Sequence, residues 1–134
     1  MEKEDMTKKY MEFQVLSQQI NKFQQQINLI TQQVGELNSL SNNVSEISKI
    51  NQDSEMYTNL GVGVHIKSSI KNVKNLLVNV GAGIFVKKTP EETTKIVDRQ
   101  VVELEKVIIN METQLQNSVK RAEDLKQELS KEKK

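Results

Sequence analysis

Asn59-Leu60-Gly61-Val62-Gly63-Val64-His65-Ile66-Lys67 returns 20 residues later as Asn79-Val80-Gly81-Ala82-Gly83-Ile84-Phe85-Val86-Lys87. Four of the five glycines of the chain lie in these two copies, so the duplication is a backbone device as well as a sequence echo. Leu60, Val62, Val64 and Ile66 alternate with small or polar residues, which is the period of a strand. After a polar turn over residues 67–72, Leu76, Val78, Val80, Ala82, Ile84 and Val86 alternate again. Glycine inside such a run weakens a straight strand but permits a bulge or a sharp bend. Each copy therefore predicts a bent hairpin, and together they make a β-segment over residues 57–88.

Long helical patterns flank this segment. Upstream, Met6, Phe13, Leu16, Ile20, Phe23, Ile27, Ile30, Val34 and Leu37 keep a 3-4 spacing with Lys9 as the one polar intruder. After Leu37 the frame is expected to slip by one position and continue through Leu40, Val44 and Ile47, a local stammer in the supercoil. At 1.5 Å rise per residue, ~45 residues make a rod of roughly 70 Å. Asn51, Asp53 and Ser54 close the segment with turn formers. Downstream, Thr89-Pro90-Glu91-Glu92 has the form of a capping box with proline at the first helical position. The seam then runs Val97, Val101, Leu104, Ile108, Met111, Leu115, Ser118, Ala122, Leu125 and Leu129, and the tail 131–134 is expected to fray.

The β-segment turns the chain back, so the helices should pair antiparallel. The predicted fold is α+β and mainly α: a long antiparallel two-helix coiled coil joined by two β-hairpins. It forms one domain over residues 1–134, with helices over 1–51 and 90–131. If the helix ends near 50 and 91 are level, paired residue numbers sum to ~141. That register sets Phe23 near Ser118 and Phe13 near the Leu125/Leu129 end.

Composition agrees. The 36% apolar content is lean for a globule yet normal for helices that bury one narrow seam. A net charge of +1 supplies no field for nucleic acid or an anionic membrane. The absence of cysteine rules out a disulfide framework and a thiolate zinc site. Met1-Glu2-Lys3-Glu4-Asp5 has no apolar run behind it, and no stretch approaches the ~20 apolar residues of a bilayer span. A cytoplasmic protein is the expectation.

A lone hairpin is marginal in water, and glycine- and valine-rich strands with few charges need partner strands. The β-segment therefore reads as an assembly module, carried by Leu60, Gly61, Val62, Gly63, Val64 and Ile66 in the first copy. In the second it is carried by Val78, Val80, Gly81, Ala82, Gly83, Ile84 and Val86. At the opposite, open end of the rod, Met1, Met6, Tyr10, Met11 and Phe13 crowd one helix and Leu125 and Leu129 face them. Tyr10 and Met11 lie off the seam, so pairing within the chain cannot bury them. Methionine suits adaptable binding surfaces.

Leu60-Gly61-Val62-Gly63 and, more specifically, Val78-Asn79-Val80-Gly81-Ala82-Gly83-Ile84-Phe85-Val86-Lys87-Lys88-Thr89 running into Glu91-Glu92 resemble the α-type subunits of prefoldin. Thr58-Asn59 stands where that family often has proline. The resemblance implies a hexamer of two α and four β-type subunits, whose hairpins form an inter-subunit β-barrel platform. It implies that the coiled-coil tips hold non-native client proteins and pass them to a group II chaperonin without ATP. The seven open-end residues would then be client contacts. A structural tether assembling through the same hairpins, without client holding, is the alternative. A rod-inserting polymerase factor would need an acidic tip where this chain has its β-segment.

Other signals are weak. Ile66 and Val86 occupy the third glycine's place in G-x-G-x-x-G, and no βαβ pattern surrounds either copy. His65 aligns with Phe85 in the repeat and reads as a strand residue. Residues 14–33 hold eight glutamines and one charge, Lys22, but the apolar heptad passes through them, so a neutral helix face is expected. No titratable set converges, so no catalysis, cofactor or metal is expected.

Overall fold

The structure, a computed structural model, describes residues 2–132. Its elements are α1 (Glu2–Ser48), β1 (Glu55–Gly61), β2 (Val64–Ser69), β3 (Leu76–Gly81), β4 (Ile84–Lys88) and α2 (Pro90–Glu132). Two long helices and two antiparallel hairpins make a mainly α fold, as the periodicities require. The chain divides into two compact units, Met1–Val34 with Val102–Lys134 and Gly35–Val101.

The first unit is an antiparallel helix pair. Lys9 Nζ lies 3.5 Å from Glu128 Oε2, and Arg121 Nε donates to Glu12 Oε1 at 3.1 Å. Phe23 and Ser118 line one recess, and Ile27 and Leu115 another, near the expected pairing, although the two ion pairs join residues with somewhat lower sums. Ala122 and Leu125 are buried along the seam while Phe13, Leu16, Ile20, Phe23, Ile27 and Ile30 are half-buried. Partial burial is what two helices sharing one stripe can achieve.

In the second unit the ends of the helices meet the hairpins. Thr89 Oγ1 accepts from Glu92 N at 3.1 Å, and Thr93 N donates to Thr89 O at 2.9 Å, which starts α2 at Pro90. Val44, Val97 and Val101 are buried there. The expected slip of the α1 seam does not fall at Leu40; the successive three-residue steps come later, from Ser41 through Val44 to the half-buried Ile47. Leu40 is 44% exposed, whereas Ser41 is half-buried and its hydroxyl lies 3.4 Å from Asp98 Oδ1. The stripe thus runs through Leu37, Ser41 and Val44. Leu40 instead lines a recess with Val44 and β3. A serine can occupy the seam because the hydroxyl finds a partner at its rim.

β1 pairs with β2 and β3 with β4, as two separate two-stranded ribbons. Pairing starts at Glu55↔Ser69, two residues before the expected β-segment of residues 57–88. Asp53 N donates to Ile70 O at 2.8 Å and extends the ribbon towards α1.

Candidate functional site

Each copy of Asn-x-Gly-x-Gly builds one ribbon tip. In the first, Asn59 pairs with His65 and Gly61 with Val64, leaving Leu60 as the extra residue of a bulge. In the second, Asn79 pairs with Phe85, Gly81 with Ile84, and Val80 is extra. The Asn side chain makes the bulge: Gly61 N donates to Asn59 Oδ1 at 2.8 Å, and Gly81 N to Asn79 Oδ1 at 2.9 Å. The two-residue loops Val62-Gly63 and Ala82-Gly83 have positive φ at both central positions, 23° and 77° in the first, 50° and 73° in the second. Such loops match the right-handed twist of the strands they join. A Cβ placed on Gly63 would meet nothing within 4 Å, so conformation and not space demands glycine there. The recurring Asn was the available sequence signal for this device.

The faces of the ribbons follow from the pairing. Thr58↔Ile66 and Met56↔Ser68 share one side of the first ribbon, where Thr58 Oγ1 and Ser68 Oγ are 2.5 Å apart. Tyr57↔Lys67 and Glu55↔Ser69 share the other, with Lys67 Nζ 3.0 Å from Glu55 Oε2. The charges thus neutralise one another on one face and leave Ile66 on an uncharged one. Leu76 and Val78 of the second ribbon are half-buried over an open recess of about 820 Å³ lined also by Leu40, Val44, Ile96 and Val97. Sequence reasoning missed this recess because it depends on which side of α1 faces β3. Leu77 and Val80 border the recess and are still exposed. Leu60, Val62, Val64, Ile66, Ile84, Phe85 and Val86 are exposed as well. Apolar side chain is thus exposed along much of both two-stranded ribbons.

At the open end of the helix pair, Tyr10 and Met11 are 56% and 60% exposed, as their positions off the seam require. Tyr10 and Phe13 line a hollow of about 300 Å³ with Lys126, Leu129 and Ser130. Met6, Phe13 and Leu129 are half-buried. Leu125, expected as a surface contact, is fully buried, because it points into the seam directly opposite α1. It supports the tip and offers it no surface. Met1, also expected here, lies outside the described residues. The Glu12 carboxylate holds the Arg121 guanidinium charged, raising its pKa chiefly through the hydrogen bond between them. Both groups are exposed, so the pair contributes little to stability. Among the described residues no cluster of three metal-ligating side chains occurs, and no helix is long and apolar enough to cross a membrane.

These features can be set beside known proteins. The family model described as "Prefoldin subunit" matches residues 16–134. The prefoldin subunit alpha of Methanobrevibacter smithii is 32% identical over 106 residues, covering 75% of this chain and 71% of that protein. The prefoldin subunit alpha of Thermofilum pendens is 25% identical over 114 residues, covering 85% of this chain and 88% of the relative. Among solved structures, a filamentous prefoldin from Methanocaldococcus jannaschii superposes with a TM-score of 0.80 at 15% identity, over 89% of this chain and 98% of that one. At that identity the likeness shows the fold alone. Helices, paired ribbons and relatives agree: the chain belongs to the prefoldin family, as an archaeal-like α-type subunit.

Proposed function

We propose that this chain is a molecular chaperone subunit that holds non-native proteins at the open end of its helix pair. Family membership carries the general role, a chaperone co-factor that assembles with other prefoldin subunits. The exposure of Tyr10 and Met11 beside the Phe13–Leu129 hollow supports the finer reading. Client chains with exposed apolar residues would be covered there by adaptable side chains that no intramolecular partner claims. The uncovered apolar ribbons support assembly through β1–β4. The resemblance to prefoldin α-type subunits supports a hexamer of two α and four β-type subunits. Delivery to a group II chaperonin, without ATP and in the cytoplasm, completes the proposal. No catalytic step belongs to it.

The test is aggregation of a chemically unfolded model protein in the presence of the reconstituted complex. Tyr10→Ser combined with Met11→Ser should leave the native mass unchanged and weaken suppression of aggregation. Undiminished suppression would remove the tip from the proposal. A second reading is favoured by the ribbons alone: a scaffold assembled through them, with no client holding. The M. jannaschii structure is of a filamentous prefoldin, so the native mass of this chain without partners should also be measured. A long homopolymer that fails to suppress aggregation would favour the scaffold.

A further inference from the structure

The two ribbon tips share their backbone machinery but not their outermost side chain. Val62 occupies the first central position of its loop and Ala82 the same position in the other. Positive φ is disfavoured for residues bearing a Cβ, and a β-branched side chain there is an outlier. Asparagine or glycine is the preferred residue in such loops. Val62 nevertheless sits at φ 23° with its side chain fully in water, at 103% of its reference exposure. Within the chain, then, this valine strains its loop and contacts nothing that offsets the strain. Such strain persists where a function uses it.

Its surroundings indicate what kind of contact that is. Leu60 and Val64 beside it are 64% and 56% exposed, and Ile66 continues the apolar strip down the uncharged face of the ribbon. The charged residues of the ribbon, Glu55 and Lys67, neutralise each other on the opposite face. We infer that Val62 is an anchoring knob that seats in an uncharged, apolar hollow of a partner prefoldin subunit's β-ribbons. This rests on the proposed assembly through the hairpins and extends it to a residue whose conformation is unfavourable until the partner is bound. Ala82 projects too little to do the same, so the two copies have divided the work: one tip anchors and the other only turns.

The experiment reconstitutes the chain with its natural partner subunits and reads two quantities, amide exchange at the first ribbon tip of the free chain and the dissociation constant of the complex. Val62→Asn relieves the strain and removes the knob. It should slow exchange at Gly63 and Val64 by roughly fivefold in the free chain. It should weaken assembly by about tenfold, the worth of burying one aliphatic side chain. Val62→Gly should weaken assembly similarly, and Val62→Ile should assemble as tightly as the native chain. A photo-crosslinker at position 62 should mark a partner's β-ribbon. Native-strength assembly by Val62→Asn would overturn the inference, as would faster exchange at its tip or crosslinks to helices or client alone. Ile66→Asp separates the two levels of the argument. If it abolishes assembly while Val62→Asn has no effect, the knob falls and hairpin assembly stands. If Ile66→Asp also assembles normally, hairpin assembly itself is refuted.

Discussion

Leu125→Ala tests whether the open end is held by a single buried seam residue. Leu125 has no exposed surface, while Leu129, one turn further on, is only half-buried. Truncation to alanine removes three carbons, worth ~2–3 kcal/mol at about 0.8 kcal/mol per buried CH₂ group. Leaving a cavity adds to this, but two helices around one seam can close partly over the gap, which keeps the cost near the low end of the usual 2–5 kcal/mol. Alanine's higher helix propensity returns a few tenths of a kcal/mol. A loss of ~2–3 kcal/mol means amide exchange faster by roughly 30- to 150-fold in the segments that open with the tip. Exchange measured by mass spectrometry should show this over residues 2–34 and 102–132 and leave the ribbons unchanged. Leu129→Ala should cost about half as much. Equal effects from the two substitutions, or acceleration below about threefold for Leu125→Ala, would refute the argument from burial.

Gly35 is helical and a Cβ there would meet nothing within 4 Å, so Gly35→Ala should stabilise α1 by about 0.5–1 kcal/mol, read as slower local exchange. Asn59→Ala and Asn79→Ala each remove the acceptor for a glycine N–H at the bulge and should loosen their own ribbon by ~0.5–1.5 kcal/mol, visible as faster exchange at Gly61 or Gly81. Glu12→Gln breaks an exposed ion pair and should leave the melting temperature unchanged; a clear drop would show the pair to be worth more than its exposure implies. Val80→Asp with Ile84→Asp should keep the helical circular dichroism signal and prevent co-assembly, and hexamers of normal native mass would count against the ribbons as the interface.

Much of this protein follows from local pattern. The 3-4 apolar spacing of residues 6–37 and 97–129, uninterrupted by proline, leaves helix as the conformation that puts those side chains on one stripe. Thr89-Pro90 sets where the second helix begins. The repeated glycines at 61/63 and 81/83 mark sites where φ must be positive, and a two-residue loop preserves the alternation of apolar residues on either side of it. Tyr10 and Met11 could be read as exposed because they fall outside the heptad. These are statements about neighbours within a few residues, which a sequence records directly.

What the sequence left open depends on residues far apart in the chain. Leu40 and Ser41 are adjacent, and a hydrophobicity rule favours leucine for the seam. The turn of α1 sets Ser41 towards Asp98 of the other helix and Leu40 beside β3. Leu125 and Leu129 look alike in the heptad, yet only the antiparallel register shows that one is sealed and the other borders the Tyr10 hollow. The strain at Val62 is likewise invisible in the letters, since valine is an ordinary strand residue until pairing places it in the loop. Local pattern alone sets the elements and the stripes they carry. The tertiary structure decided which side chains each stripe buries, because burial is set by the register of one segment against another.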